Sequence, residues 1–294
     1  QRVGAVVAPS VEACRHTADR MAVRKQANEE LGLPVLDYEF AATPQEMHDA
    51  VERIGYPCVV KSPTSKDGEG FSFVHSDADL ADAWRAADRG LGQGAVVERF
   101  IDFDFEVTIL AARSIDPSTG ELATWFCEPI GTRHREGRLV ESWQPAPLPE
   151  AAMDNARSIA ARITGALASC GIFSVEMFVS GDDVYFSQVT PRPSRDGLVT
   201  FVTQRINQFD LQAHATQRLP IDSTLISPGA VRFLEGHPSQ AALAAAMAVE
   251  EVTVRMLGDG TLVLATADSA AEARQRTDEA VREIYNVDGK PGEN

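Results

Sequence analysis

Cysteine is scarce and never paired: Cys14, Cys58, Cys127 and Cys170 are the four in 294 residues, and no two stand at C-x-x-C spacing. That excludes a zinc knuckle and a disulfide-stapled scaffold, and leaves buried thiols in a reducing compartment as the expectation. Long apolar runs are missing too. No stretch approaches the roughly 18 residues that a spanning helix needs, and no basic, apolar leader is seen. Basic side chains are outnumbered, 27 Lys and Arg against 43 Asp and Glu, a formal net charge of −16. Such a surface disfavours nucleic acid and anionic membrane alike, so small molecules met in the cytoplasm are the expected partners. Nothing repeats at a solenoid period.

What is present is apolar residue in quantity, 44% of the chain, more than one compact core holds and enough for two or three packed units. Gly4 to Ala8 reads as a buried strand running into a helix, and a strand with no sheet of its own implies an upstream portion outside this sequence. Ala18 to Leu31 suits a helix, stopped by Gly32 and Pro34, with Val35 to Phe40 extended after it. Thr43 with Glu46 has capping-box spacing, which starts a helix at Pro44 that ends near Ile54 before Gly55. Cys58 to Lys61 and Phe71 to His75 form a hairpin, Ser76 or Asp77 caps a helix to about Ala87, and Ala95 to Glu98 is a strand. The result is a small α+β unit.

Phe105 to Ala112 and Thr124 to Ile130 alternate like antiparallel strands, and residues 149 to 170 form a long helix. Phe173 to Val179 and Val184 to Val189 pair across the turn Ser180-Gly181-Asp182-Asp183. A helix from Gln208 to Arg218 comes next. The chain closes with strands at Val252 to Met256 and Thr261 to Ala265, a helix from Ser269, and a frayed polar end at 288 to 294.

Three constellations carry chemistry. Lys61 ends an apolar strand and leads into a loop with Gly68 and Gly70, a cation beside free backbone N–H donors that suits phosphate, although a plain turn is twice as common for such glycines. Glu98 closes a strand, and Asp102, Asp104 and Glu106 would share one face of an extended segment, as ribose or metal ligands or equally as a solvated acidic edge. Glu176 and Gln188 project from hairpin partners just before Thr190-Pro191-Arg192-Pro193, an oxygen pair that could clamp Mg²⁺ on a nucleotide or simply line a sheet surface.

With these residues in view, the chain resembles the formate-dependent phosphoribosylglycinamide formyltransferases of purine synthesis, members of the ATP-grasp superfamily. The strings that carry the resemblance are Arg20 through NEELGLP, AVERIGYPCVVKSP, VVERFIDFDFEVTIL, FCEPIG, ESWQP, FSVEMFV, YFSQVTPRP and GLVT, spread over residues 15 to 220. The resemblance implies two α+β subdomains clamping a nucleotide, with a small C-terminal β-rich module and a Rossmann-like domain upstream. It divides the chain into a remnant of that domain at 1–15, a lid at 16–100, a central subdomain with the metal hairpin at 101–225 and the C-terminal module at 226–294.

It also implies roles. Arg20, Lys61 and the loop with Ser65, Gly68 and Gly70 would contact ATP phosphates, Glu98, Arg99, Phe100 and Ile101 adenine, and Glu106 the ribose. Glu176 and Gln188 would hold Mg²⁺, and Lys61, Arg192 and Asp196 would serve the chemistry: activation of formate or another small carboxylate as an acyl phosphate, then transfer to an amine. A homodimer is implied as well. Where the family has a lysine between the loop glycines this chain has Glu69, its second metal carboxylate is Gln188, its His-Asp-Thr is Ser194-Arg195-Asp196, and Asp259-Gly260 stands where a phosphate grip is expected. All four departures fall at ligand-contacting positions, so the acceptor amine is expected to differ. The alternative is a non-catalytic nucleotide-binding paralogue; ESWQP and FCEPIG argue against a biotin-carboxylase-like or peptide-ligating enzyme.

Overall fold

Ser10 and Asp19 decide where the chain first becomes helical, because each is extended and each caps the helix after it with its side-chain oxygen. The computed structural model describes residues 7–64, 70–135, 137–258 and 260–289. The expected strand at Gly4 lies largely outside them, as do Ser65, Gly68, Glu69, Asp259 and most of the polar end. Helix α1 runs Val11–Ala18 and α2 Arg20–Lys25, continuing as one π turn through Glu30. The single helix expected from Ala18 therefore begins earlier and is broken at Asp19.

Strand β1 (Tyr38–Ala41), helix α3 (Pro44–Ile54), strands β2 (Cys58–Lys61) and β3 (Phe71–Val74), helix α4 (Leu80–Asp88) and strand β4 (Ala95–Arg99) form the smaller unit. Its four strands are antiparallel in the order β1-β4-β2-β3. Alternation divides the sheet. Cys58, Val60, Ala95 and Val97 face α3 and α4, packing on Met47, Val51, Leu80 and Ala83, which leaves Val59, Lys61 and Glu98 on the opposite face.

The larger unit contains β5 (Phe105–Ile115), β6 (Leu122–Phe126), β7 (Ile130–Arg135), β8 (Arg138–Gln144), α5 (Glu150–Ala166), β9 (Gly171–Ser180) and β10 (Asp183–Thr190). After these come α6 (Thr200–Thr203), α7 (Gln208–Gln217), β11 (Gly229–Glu235), α8 (Gln240–Ala246), β12 (Val252–Leu257), β13 (Gly260–Thr266) and α9 (Ala270–Asp288). Its nine strands run β10-β9-β5-β7-β8-β11-β13-β12, with β6 on β5. Val107, Ile109, Val175 and Met177 face α5 together with Ala13 of α1 and Val23 and Ala27 of α2. Their neighbours Glu106, Thr108 and Glu176 consequently face the other way.

Three differences from the sequence reading bear on the site. The strand expected over Thr124 to Ile130 is two strands, separated at Cys127-Glu128-Pro129, and the second pairs with the unforeseen β8. The closing segment is not a separate module: β11 pairs with β8 and with β13, so the large sheet runs straight through the boundary set at 225/226. Residues 16–36, assigned to the lid, pack under the large sheet, and the small sheet begins only at Tyr38. No helix among the described residues is long and apolar enough to cross a membrane.

Candidate active site

The free face of the small sheet and the free face of the large one enclose a cavity of about 460 Å³. Lys61 and Glu98 sit on adjacent strands of the first, with Val59 paired to Glu98 in register, and their side chains meet at 2.7 Å. Arg24 of α2 reaches the other oxygen of Glu98, also at 2.7 Å. Burial alone would raise the Glu98 carboxyl, but the Arg24 and Lys61 cations outweigh it and hold the acid down at about 2. Burial lowers the Lys61 ammonium, while Glu98 pulls it back. Arg20, one helical turn before Arg24, is likewise lowered by burial against the attraction of Glu98 and Glu176. Its charge thus acts on carboxylates of both sheets.

An aromatic wall closes one side. Phe73 meets Phe71 edge-on at 4.9 Å and Phe100 at 5.6 Å, and Phe103 lies 4.8 Å from Phe178, all of them lining the cavity with Ile101. Phenyl faces and edges of this kind accept a flat heteroaromatic ring. Trp143 of β8 also lines the cavity beside β7, so close to Gly131 that a Cβ added there would sit 2.2 Å from the ring. Beneath the indole, Glu141 is fully buried and held by Arg274 at 2.9 and 3.0 Å and by Arg133 at 2.8 Å, with the Arg274 guanidinium 4.0 Å above the Trp143 ring.

The large sheet supplies the acidic side. Glu176 and Gln188 are direct partners across β9 and β10, just beyond a bulge after Phe186, and both line the cavity. Burial, and next the negative charges of Asp196 and Glu106, push the Glu176 carboxyl up to about 7. Thr108, the partner of Glu176 on β5, donates from Oγ1 to Oδ2 of Asp196 at 2.9 Å. Asp196 is raised by burial, against that hydrogen bond. Glu106 Oε2 lies in hydrogen-bond contact with His134 Nδ1 at 2.7 Å. Burial lowers the imidazole, yet the bond to Glu106 and the negative charges of Glu106, Asp196 and Glu176 together outweigh it, and the net shift is upward. Two hard oxygen donors facing each other, amid excess negative charge, form a donor set suited to Mg²⁺ completed by phosphate and water oxygens.

Of the residues singled out from sequence, Arg20, Lys61, Glu98, Arg99, Phe100, Ile101, Glu106, Glu176 and Gln188 all line this one cavity. Glu98 does so with both oxygens already taken by cations and only 2% of its surface exposed. Gly70, at φ +70°, packs against Ser62 behind the wall. Arg192 is exposed and donates to the carbonyl of its neighbour Pro193, outside the cavity lining. Asp196 also lies outside that lining, below Thr108, and Arg195 points instead to the Phe233 ring at 5.3 Å. Asp102 is exposed, whereas Asp104 lines the cavity and accepts from the Gly181 amide at 2.8 Å. The carboxylates at 102, 104 and 106 therefore do not share a face, because only from Phe105 is the chain a strand. Arg24, Thr108, His134 and Trp143 were not foreseen as site residues. Arg24 alone carried a signal, its i+4 spacing from Arg20 on one helix face.

The ATP-grasp domain model matches residues 26–209. The formate-dependent phosphoribosylglycinamide formyltransferase of Corynebacterium efficiens is 49% identical over 288 residues, covering 92% of this chain and 72% of that protein. The protein of the same name from Paraburkholderia xenovorans is 41% identical over 302 residues, covering 97% and 75%. Among solved structures, the glycinamide-RNase-transformylase T of Mycobacterium tuberculosis superposes with a TM-score of 0.79 at 36% identity, covering 94% of this chain and 74% of that one. A carboxyaminoimidazole ribonucleotide synthase from Aspergillus clavatus complexed with ATP gives 0.84 at 20% identity, covering 97% and 78%, a likeness of fold.

Proposed function

From its place in the ATP-grasp family, to which this chain belongs together with the formate-dependent phosphoribosylglycinamide formyltransferases, we propose how its residues divide the work. It is an ATP-dependent carboxylate-amine ligase of the formyltransferase type. Adenine lies against the Phe73 and Phe100 edges with Arg99 and Ile101 at the rim, and Glu106 takes the ribose. Lys61 and Arg20 address the phosphates. One observation carries this reading: the lysine-bearing sheet and the glutamate-bearing hairpin wall the same cavity.

The terminal phosphoryl passes to formate, giving formyl phosphate, and the acceptor amine then attacks the formyl carbon and displaces phosphate. Little covalent work falls to the protein, because charge spread over the transferring phosphoryl has chiefly to be positioned and offset. Lys61 and Arg20 do so from one side. Glu176 and the Gln188 carbonyl would hold Mg²⁺, which would supply positive charge to offset that developing on the transferring phosphoryl. The neutral amide at Gln188 makes that hold weaker than a second carboxylate would.

A changed acceptor is the second reading. Asp196, hydrogen-bonded to Thr108, and Arg195, turned to Phe233, leave Trp143 and Arg133 to shape that part of the cavity, with Glu141 and Arg274 behind them. The non-catalytic alternative draws no support from these relatives. A soluble cytoplasmic homodimer is part of the same proposal. The test is ADP release in the presence of Mg²⁺ and formate with phosphoribosylglycinamide and then a panel of small amines. Release that needs both formate and an amine upholds the ligase, the amine giving the highest kcat/KM identifies the acceptor, and no amine-dependent release from any member sinks the proposal.

A further inference from the structure

We propose that Arg24 is a positioning residue for Lys61: by neutralising Glu98 and anchoring it to the strand that carries Gln188, it keeps the lysine charge directed at bound phosphate. The inference rests on the nucleotide reading of the cavity. Arg24 is 5% exposed, and its guanidinium is a junction of three elements. Its Nη2 donates to Glu98 Oε1 of β4 at 2.7 Å and to the Ser187 carbonyl of β10 at 3.1 Å, while the Tyr38 ring of β1 lies 5.5 Å away. The small sheet and the metal hairpin are thus joined through one side chain, one residue away from Gln188.

The charge arrangement gives that junction a purpose. Lys61 holds only Oε2 of Glu98, because Oε1 belongs to Arg24. A fully desolvated carboxylate with a single ammonium for company would hold it tightly, since opposite charges attract far more strongly in a dry site than in water. With Arg24 and Lys61 both on one carboxylate, one positive charge is left over for a polyanion. Without Arg24, Lys61 is drawn into neutralising Glu98, and the surplus toward the cavity falls by one. A planar guanidinium fits because it can donate in one plane to a carboxylate and a carbonyl, which a lysine at this position cannot reproduce in full.

Isothermal titration of the full chain with a non-hydrolysable ATP analogue plus Mg²⁺, and separately with adenosine, tests the proposal. Arg24→Met is expected to weaken the analogue roughly tenfold, equivalent to about 1.4 kcal/mol, and to leave adenosine unchanged. Arg24→Lys is expected to recover part of the loss. Adding Glu98→Gln to Arg24→Met is expected to restore analogue affinity, since no carboxylate then competes for Lys61. Equal loss for both ligands, or a double variant no better than Arg24→Met, overturns the proposal. Should Arg24→Met fail to fold, Glu98→Gln is compared with the double variant: equal analogue binding upholds the idea and a tenfold gap overturns it. A wild-type chain that binds no analogue overturns the nucleotide reading itself, a separate outcome.

Discussion

Gln188 stands directly across from Glu176 in the β9–β10 register, so the one neutral member of the oxygen pair lies next to a carboxyl that burial and the charges of Asp196 and Glu106 raise to about 7. Adding a carboxylate at 188 should strengthen Mg²⁺ binding to the nucleotide complex by roughly tenfold or more, as expected for one further charged ligand. Titration of Mg²⁺ against the Gln188→Glu variant holding the ATP analogue checks it.

Metal binding should also depend on pH with a definite sign. A raised carboxyl keeps its proton up to about pH 7, and the metal requires the ionised form. Affinity for Mg²⁺ should therefore fall as pH drops from 8 to 6, approaching a tenfold loss per unit below 7, with proton release on binding measurable by calorimetry in two buffers of different ionisation enthalpy. Glu176→Gln should abolish the dependence together with most of the affinity.

Glu98, shifted in the opposite direction, predicts an acid-stability slope. Its pKa is depressed from 4.5 to about 2 in the folded chain, so its stabilisation is fully present above about pH 4.5 and is lost as pH falls toward 2. The total is on the order of 3 kcal/mol. Urea unfolding at pH 5 and pH 3 should show a smaller loss in Glu98→Gln than in the unaltered chain.

Gly131 is required by the Trp143 ring, since an added Cβ would come within 2.2 Å of it. Gly131→Ala should displace the indole, shift its fluorescence and cost roughly 1–3 kcal/mol of stability. An unshifted spectrum with an unchanged Tm would refute the packing argument.

Glu141 is buried between Arg274 and Arg133. Replacing it by Leu removes a charge that two guanidiniums share and should lower stability by about 3 kcal/mol, with a matching fall in Tm. Arg274→Met combined with Glu141→Leu should recover part of the loss.

Much of the site was legible because its signals are local. Thr43 and Glu46 bracket a helix that runs Pro44–Ile54 as expected, since capping depends on residues three apart. Cys58–Lys61 was readable as a short apolar run after Pro57, and the hairpin that sets Glu176 against Gln188 from its Ser180-Gly181-Asp182-Asp183 turn. β7, β8 and β11 were not. The run Thr132-Arg133-His134-Arg135 shows no apolar alternation, and it is a strand because β8 pairs along its whole length while β5 joins it at Thr132.

Local chemistry along the chain thus determined most strands and helices, the lysine at the end of its strand, and the paired oxygens on their hairpin, because capping and alternation act between residues a few positions apart. Only tertiary structure decided that Arg24 would be a buried cation, that Glu98 would be its counter-ion rather than an open ligand, and that Asp196 would lie under Thr108. Those outcomes depend on which charges are desolvated together. Desolvation is a property of the space between two sheets, and no short stretch of sequence encodes it.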